Sequence, residues 1–551
     1  MPFLRRLAGS AALLCLLLAI VHTWPLAADP GTHSRNDNGD AQLNEWILAW
    51  VAHQLPRAPA RLFDANIFYP ERDTLAYSEP LIVQGLMSAP LRWVGASPVL
   101  AFNVVLLLGF ALTAWAGYRL VHEWTKSQAA GLLTGSMFAF NTHMLTRLAH
   151  IQGIHAWGLP LALLSTDRLI VQARTRDAWW LAFWMVCLAA TSGYLAVFGA
   201  VLVGVAVIAR LPWWWRRAGA VVPRFALAGV LTGIATAPIA MPYQRVATEH
   251  GMVRSIETVA DFSVPLKSYI TSAGRLHYWL WSSEFFKDSI DPFFPGATVL
   301  VLAALALVWT LSRSERGSEE DRLLPQRVVM LMAIAAVGVI LSLGTRTPVY
   351  GWFYELFPPA RGLRAAARFG NLALLGTAAL GGIGLAQLLR RVPPSRVAWI
   401  AAAVIAAANA ESLRAPFRYT PFQGIPSIYS HVASVPGRVV LVEVPFYPPQ
   451  AIFGNATYVL NSTAHFRPIM NGYSGYAPSS YSVHAEQFRD FPHPDAIRAM
   501  RAAGATHVMV HPDRFHQGPE YASQVMEQAA GSVQLERVAV GRDGVTLFEL
   551  R

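Results

Sequence analysis

The chain has 551 residues, of which 54% are hydrophobic and only 14% charged. An average soluble domain carries about 25% charged residues, so this composition, with a mean hydropathy of +0.36, excludes a disordered chain, a disulfide scaffold and a basic nucleic-acid-binding protein, and it points to a polytopic membrane protein. The net charge of +11 comes from 44 Lys and Arg against 33 Asp and Glu, and in such a protein basic residues mark the cytoplasmic loops.

The first predicted element is an apolar run from Leu7 to Trp24, preceded by Arg5 and Arg6. No small-x-small cleavage pattern follows it, so it reads as an uncleaved first span with a cytoplasmic N-terminus. Residues 28–78 are polar and Pro-rich, which bars them from lipid and makes them the first outer loop. Residues 80–94 are apolar, short and Pro-interrupted, as a dipping segment would be. Spans follow over 97–121, 128–147 and 151–170. The apolar run 178–210 is too long for one helix and breaks at Ser192-Gly193-Tyr194. A span over 225–241 leads to a second outer loop, 242–294. Spans over 295–312 and 328–343 lead to a third, 344–365. Spans over 366–389 and 397–410 end the series.

Each span uses about 20 residues, giving about eleven in all. The basic clusters Arg168/Arg174/Arg176, Arg210/Arg216/Arg217/Arg224, Arg313/Arg316/Arg322/Arg327 and Arg390/Arg391/Arg396 all then fall on the cytoplasmic side. Residues 1–410 are thus a mainly α, polytopic helical bundle.

Beyond residue 415 the apolar runs shrink to strand length. Strands are expected at Val439–Val442, His507–Val510 and Val545–Leu550, and helices near 493–503 and 519–530. This pattern reads as a small α/β domain over 415–551, extracytoplasmic by the topology. The two cysteines, Cys15 and Cys187, lie in apolar stretches and tell nothing of redox compartment.

The first outer loop carries the most telling motif, Asn36-Asp37-Asn38-Gly39-Asp40. After it, Leu43, Trp46, Ile47, Trp50 and Val51 recur at i, i+3, i+4, i+7 and i+8. That periodicity predicts an amphipathic helix lying in the membrane interface, with Asp40 at its N-cap. A carboxylate there can serve as a cap, as chemistry, or as both.

A single N-terminal span, an acidic first outer loop, many further spans and an outer C-terminal domain together resemble the GT-C superfamily of membrane glycosyltransferases. That superfamily includes protein mannosyltransferases and lipid A aminoarabinose transferase. The resemblance implies a polyprenyl-phosphate-linked sugar donor, an extracytoplasmic acceptor (glycan, lipid or protein) and a first-loop carboxylate as base. Asp40 matches that position, with Asp37 second; here Asn38-Gly39 separates two acids that relatives more often place side by side. Some relatives bind a divalent cation through the first-loop acid, and Asp40 is the residue that would hold one. No HExxH or Cys-pair zinc pattern is present in the sequence.

Transfer from a lipid phosphate also needs a cation on the leaving group. Arg361, Arg364 and Arg368, at i, i+3 and i+7 in the third outer loop with Arg346 upstream, predict one basic helical face suited to phosphate. Headgroup contact or pairing with Glu355 are alternatives. His143, Arg147 and His150 are expected near an outer end, with His155 inside the next span; His150 and His155 are candidate substrate-cavity residues. His143 and His150 are about 10 Å apart along a helix, too far for one metal.

A transporter or lipid-handling protein without chemistry is the competing reading. It would place ionisable groups near the midplane, whereas the spans here are nearly free of acids, Asp167 lying by a cytoplasmic end. This favours the function that the GT-C resemblance implies, a glycosyltransferase with membrane lipid, lipid-linked sugar and acceptor as partners and no nucleic acid; the high Ala and Arg content and short loops suggest a bacterial inner membrane, with the C-terminal domain periplasmic.

Overall fold

The computed structural model describes residues 2–251, 254–286, 291–311 and 319–551. Arg313 and Arg316, expected in a cytoplasmic loop, lie outside the described residues. The protein is mainly helical with a few short strands. Among the described residues four helical stretches are long and apolar enough to cross a membrane: Pro98–Thr125, Leu211–Glu249, Arg322–Ser342 and Ala366–Leu389. Three shorter apolar helices are Ala11–His22, Gly193–Ala209 and Ala297–Thr310.

Local chemistry explains where helices stop. The run after Arg176 is two helices, Thr175–Thr191 and Gly193–Ala209, as the sequence predicts. Ser192 between them is extended, and its hydroxyl accepts from the Tyr194 and Leu195 N–H groups. It therefore ends one helix and caps the next. The span expected over 128–147 stops at Ala139, because the Asn141 side chain accepts from the Met144 N–H (2.9 Å) and starts a separate short helix; Asn competes for backbone in this way. The helix expected over 225–241 instead runs Ala218–Glu249. Polarity after residue 241 does not stop it, since Gln244, Ala247 and Glu249 are all helix-compatible.

The chain divides into two compact units. One comprises Met1–Asp29, Val105–Ala240 and Met252–Arg418. Its central helix, Gly370–Leu389, is buried on nearly every side. A Cβ on Gly384 would sit 1.9 Å from the Leu302 carbonyl oxygen, and one on Gly382 would sit 2.0 Å from the Thr134 hydroxyl. Glycine thus permits the closest approach of neighbouring helices, the common solution where lipid offers no hydrophobic drive. One buried acid fixes several helices of this unit. Asp167 is paired with Arg210 and with Arg327 (2.9 Å), and it accepts from the Trp124 indole (2.8 Å).

The other unit comprises Pro30–Val104, Met241–Gly251 and Tyr419–Arg551. Strands β1 (His33–Ser34) and β2 (Thr420–Pro421) pair antiparallel. Strands β3 (Leu441–Val444), β4 (His507–Val510), β5 (Leu535–Val540) and β6 (Thr546–Leu550) form one mixed sheet in the order β3-β4-β6-β5. β3 and β4 are parallel, the other pairs antiparallel. β3 and β4 are buried at every residue, Glu443 and His507 included, and burial on both faces favours the apolar residues that make up the rest of each strand. β5 is a mostly exposed edge strand, with Glu536 and Arg537 interrupting its apolar residues.

The first-loop helix, Gly39–Gln54, departs from expectation. Every residue from Ala41 to Ala52 is buried, including Gln42, Asn44 and Glu45. Its indoles are spent inside the unit: Trp46 donates to the Asn66 side chain (3.0 Å) and Trp50 to the Leu62 carbonyl (2.8 Å). Asn66 in turn donates to the Ser462 hydroxyl and the Arg467 carbonyl (3.1 Å each). An interfacial helix needs one wet face; this one has none, so the interfacial assignment is corrected to a core helix.

Candidate functional site

The first-loop acids separate cleanly. The N-cap of the 39–54 helix is Asn38, whose side chain accepts from the Asp40 N–H (2.9 Å). The assignment of Asp40 as N-cap is therefore wrong by two residues, because Asn38 is extended and fills the role first. Asp40 is half-buried, and its Oδ1 accepts from the Tyr473 hydroxyl at 2.7 Å. Tyr473 follows Asn471-Gly472 in a segment outside helix and strand. Gly39 makes the approach possible, since a Cβ there would meet the Tyr473 ring at 3.3 Å. Asp37 instead pairs with Arg35 through two contacts (3.1 and 3.2 Å) in an exposed position.

A further acid stands on the same helix. Glu45 is 1% exposed, and Asn36 turns its amide nitrogen toward both carboxylate oxygens (2.9 and 3.1 Å). Burial raises the Glu45 carboxyl well above the usual range, with the Asn36 hydrogen bond opposing in part. Nothing in the local periodicity distinguishes Glu45 from a wet-face residue.

The third-loop arginines do not share a helical face. Arg361 lies on one 3-10 turn, Pro358–Gly362, and Arg368 on another, Ala366–Phe369. Leu363 between them is extended, so the i, i+3, i+7 spacing carries no meaning there. The loop has another organiser, Tyr194. Its hydroxyl accepts from the backbone N–H groups of Arg364 and Ala365 (3.0 Å each), and the Arg368 guanidinium lies 4.5 Å over its ring. Arg364 stacks over Phe262 (5.2 Å).

Arg254, from the second loop, joins this group. Its backbone N–H donates to the Arg361 carbonyl (3.1 Å), and its carbonyl accepts from the Tyr354 hydroxyl (2.7 Å). Burial, then the neighbouring Arg364 charge, pushes the Arg254 pKa below its ordinary value. Arg361 is exposed, donating to the Tyr354 and Glu355 backbone carbonyls (3.4 Å each), and Arg346 is exposed.

The histidines part company as well. His143 and Arg147 both pair with Asp291, His143 at 3.3 Å. Burial alone would raise the Asp291 carboxyl, but these two partners hold it well below the usual carboxylate range. Arg368 lies close enough to His143 to act on its charge. Asp291 was not singled out by the sequence; its one signal is its place just before a span. His150 precedes the short helix Ile151–Ile154 without a side-chain capping bond and is half-buried. His155 is buried, its Nε2 on the Val105 carbonyl (3.1 Å) and its Nδ1 accepting from the Trp157 indole (3.3 Å). Its ring nitrogens are thus engaged inside the bundle. Among the described residues no group of three or more His, Cys, Asp or Glu side chains could hold a metal ion.

Residues 11–410 match a family model described as a domain of unknown function, DUF6311. The chain belongs to the DUF6311 family. No curated protein matches the sequence. Two cryo-EM structures of the arabinofuranosyltransferase AftD from Mycobacteria share the fold, with TM-scores of 0.55 and 0.57 at 15% identity, over 99% of this chain. This chain spans 41% of AftD. ArnT from Cupriavidus metallidurans, crystallised with undecaprenyl phosphate, aligns over 98% of this chain and 97% of its own at 11% identity and a TM-score of 0.46, too low to establish a shared fold. The GT-C resemblance of this DUF6311 member thus holds for the fold.

Proposed function

We propose that this protein transfers a sugar from a polyprenyl-phosphate carrier to an acceptor outside the membrane. The observation that carries the proposal is the half-buried Asp40 carboxylate, held by the Tyr473 hydroxyl at 2.7 Å. It is supported by a fold shared with a glycosyltransferase over nearly the whole chain.

In this reading Asp40 accepts the proton of the attacking acceptor hydroxyl, or orients it. Tyr473 holds the carboxylate in register. Asp37, tied to Arg35 in solvent, is the weaker candidate. Arg254, Arg364 and Arg368 receive the carrier phosphate and stabilise the charge that develops as the glycosidic bond breaks. Arg361 and Arg346 are exposed and serve long-range attraction. His143, Arg147 and Asp291 fix the surroundings of Arg368. If a divalent cation takes part, Asp40 is its ligand. The reading places the protein in a bacterial inner membrane, with residues 415–551 on the periplasmic side.

The test uses cells lacking the protein, complemented with wild type, Asp40→Asn or Asp37→Asn. Cell-surface glycans and glycolipids are then compared by mass spectrometry. The proposal expects one sugar mass to disappear and to return with wild type and Asp37→Asn, but not with Asp40→Asn. Full restoration by Asp40→Asn at normal expression would overturn it in favour of transport or lipid handling.

A further inference from the structure

The third outer loop, 344–365, contains a helix, Pro348–Leu356, that its assignment as a loop does not anticipate. Its two faces differ sharply. Tyr350 is 0% exposed, whereas Trp352 is 61% and Leu356 84% exposed, with Val349 partly so. Val349, Trp352 and Leu356 stand at i, i+3 and i+7, on one side of the helix. Phe353, on the inward side, stacks on Phe357 (5.4 Å) and meets Phe369 edge-on (5.6 Å). Exposed apolar side chains gathered on one face of a short helix mark a binding surface.

The second outer loop repeats the pattern. Trp279 is 80% and Leu280 66% exposed, and Leu266, Ile270 and Leu276 are exposed beside them in sequence. This segment is fastened rather than loose. The Arg275 N–H donates to the Leu413 carbonyl (2.9 Å), and His277 pairs with Glu411 (3.0 Å) at the end of the helix Pro394–Ser412. Glu411 also accepts from the Thr298 N–H (3.1 Å), at the start of the apolar helix Ala297–Leu311.

We infer that the 348–356 helix and the 266–280 segment lie in the outer face of the bilayer, with Trp352, Leu356, Trp279 and Leu280 inserted among the lipids. Chain continuity names the occupant. The helix sits in the connection between two stretches apolar enough to cross a membrane, Arg322–Ser342 and Ala366–Leu389. Residues 343–347 alone separate it from the first, so it cannot stand far from the bilayer surface. At about 1.5 Å per residue it is too short to span about 30 Å of hydrocarbon, and so it lies along the surface. Exposed Arg346 and Arg361 flank it, placed to meet lipid phosphates, as on other interfacial helices. The inference goes beyond sugar transfer and rests on the chain crossing a membrane with these two loops on its outer side.

The test places a nitroxide at single positions of the full chain in nanodiscs of phosphatidylethanolamine and phosphatidylglycerol. The variants are Trp352→Cys, Leu356→Cys, Trp279→Cys and, as the wet-face control, Glu355→Cys. Cys15 is buried and Cys187 half-buried, and labelling of the unaltered chain gives their background. All four positions are exposed or nearly so, so the fold should tolerate each. Collision with lipid-soluble oxygen should dominate at 352, 356 and 279, and collision with a water-soluble nickel chelate at 355. The inference fails if the nickel chelate reaches any of the three apolar positions as freely as 355. It fails equally if both reagents are excluded from them, which would mean that protein covers the surface.

Discussion

Replacing Asp167 by Asn should unfasten the helical unit. Asp167 is 2% exposed and faces two guanidinia, Arg210 at 0% and Arg327 at 9%. Its oxygens also accept from the Trp124 indole, and the Arg327 guanidinium lies 5.2 Å over that ring. The four residues join the helices Pro98–Thr125, Gly158–Gln172 and Glu319–Ser342, together with the residue that ends Gly193–Ala209. Asn keeps the shape but loses the charge, and it turns an N–H₂ toward donors. Two buried cations are then left uncompensated, which costs about 3–5 kcal/mol.

At roughly 2–4 °C per kcal/mol for a large cooperative unit, the melting temperature should fall by roughly 6–20 °C. Tryptophan fluorescence of detergent-solubilised protein during a thermal ramp would measure it. Removing all three charges together, as Asp167→Leu with Arg210→Met and Arg327→Met, should recover most of the loss, because the penalty lies in the orphaned charge more than in the missing bridge. If Asp167→Asn melts with wild type, or the triple variant melts below the single one, the reasoning is wrong.

Three further outcomes follow from the geometry. Tyr473→Phe should cut transfer 10- to 100-fold, since a hydrogen bond to a charged acceptor is worth about 1.5–3 kcal/mol, while Asp37→Asn, losing only an exposed pair, should stay within about twofold; product yield per expressed protein decides. The raised Glu45 carboxyl gives stability that is fully present below the unfolded value near pH 4 and is lost as pH rises through the folded value. Glu45→Gln should remove that decline, so its melting temperature should gain on wild type from pH 4 upward, and parallel curves would refute the assignment. Gly384→Ala pushes a methyl against the Leu302 carbonyl and should destabilise by about 1–3 kcal/mol, whereas Ala at Gly233, where no atom lies within 4 Å of the added Cβ, should be silent; comparing their thermal ramps tests both.

Much of the frame was legible because it depends on short-range chemistry. Apolar runs in a chain with 14% charge must form helices whose backbone groups satisfy one another in lipid. The break at Ser192 follows from its own side chain. β3, β4 and β6 were readable because sheet burial demands apolar residues, and the edge strand β5 was not because no such demand acts on it.

What the sequence could not decide was the use of each polar group. Asp40 and Asp37 look alike in a five-residue motif, and only a hydroxyl 433 positions away separates them. Periodicity drew a wet face for the 39–54 helix, because it sees the pattern of one element and not the partners that cover Glu45 and Gln42. The spacing of Arg361, Arg364 and Arg368 promised one helical face, but Tyr194 holds their backbone in a different path. Asp291, Arg254 and His143 find one another or the arginines only through packing. Local pattern fixes which segments are helices and strands. Long-range contacts fix which group each carboxylate meets.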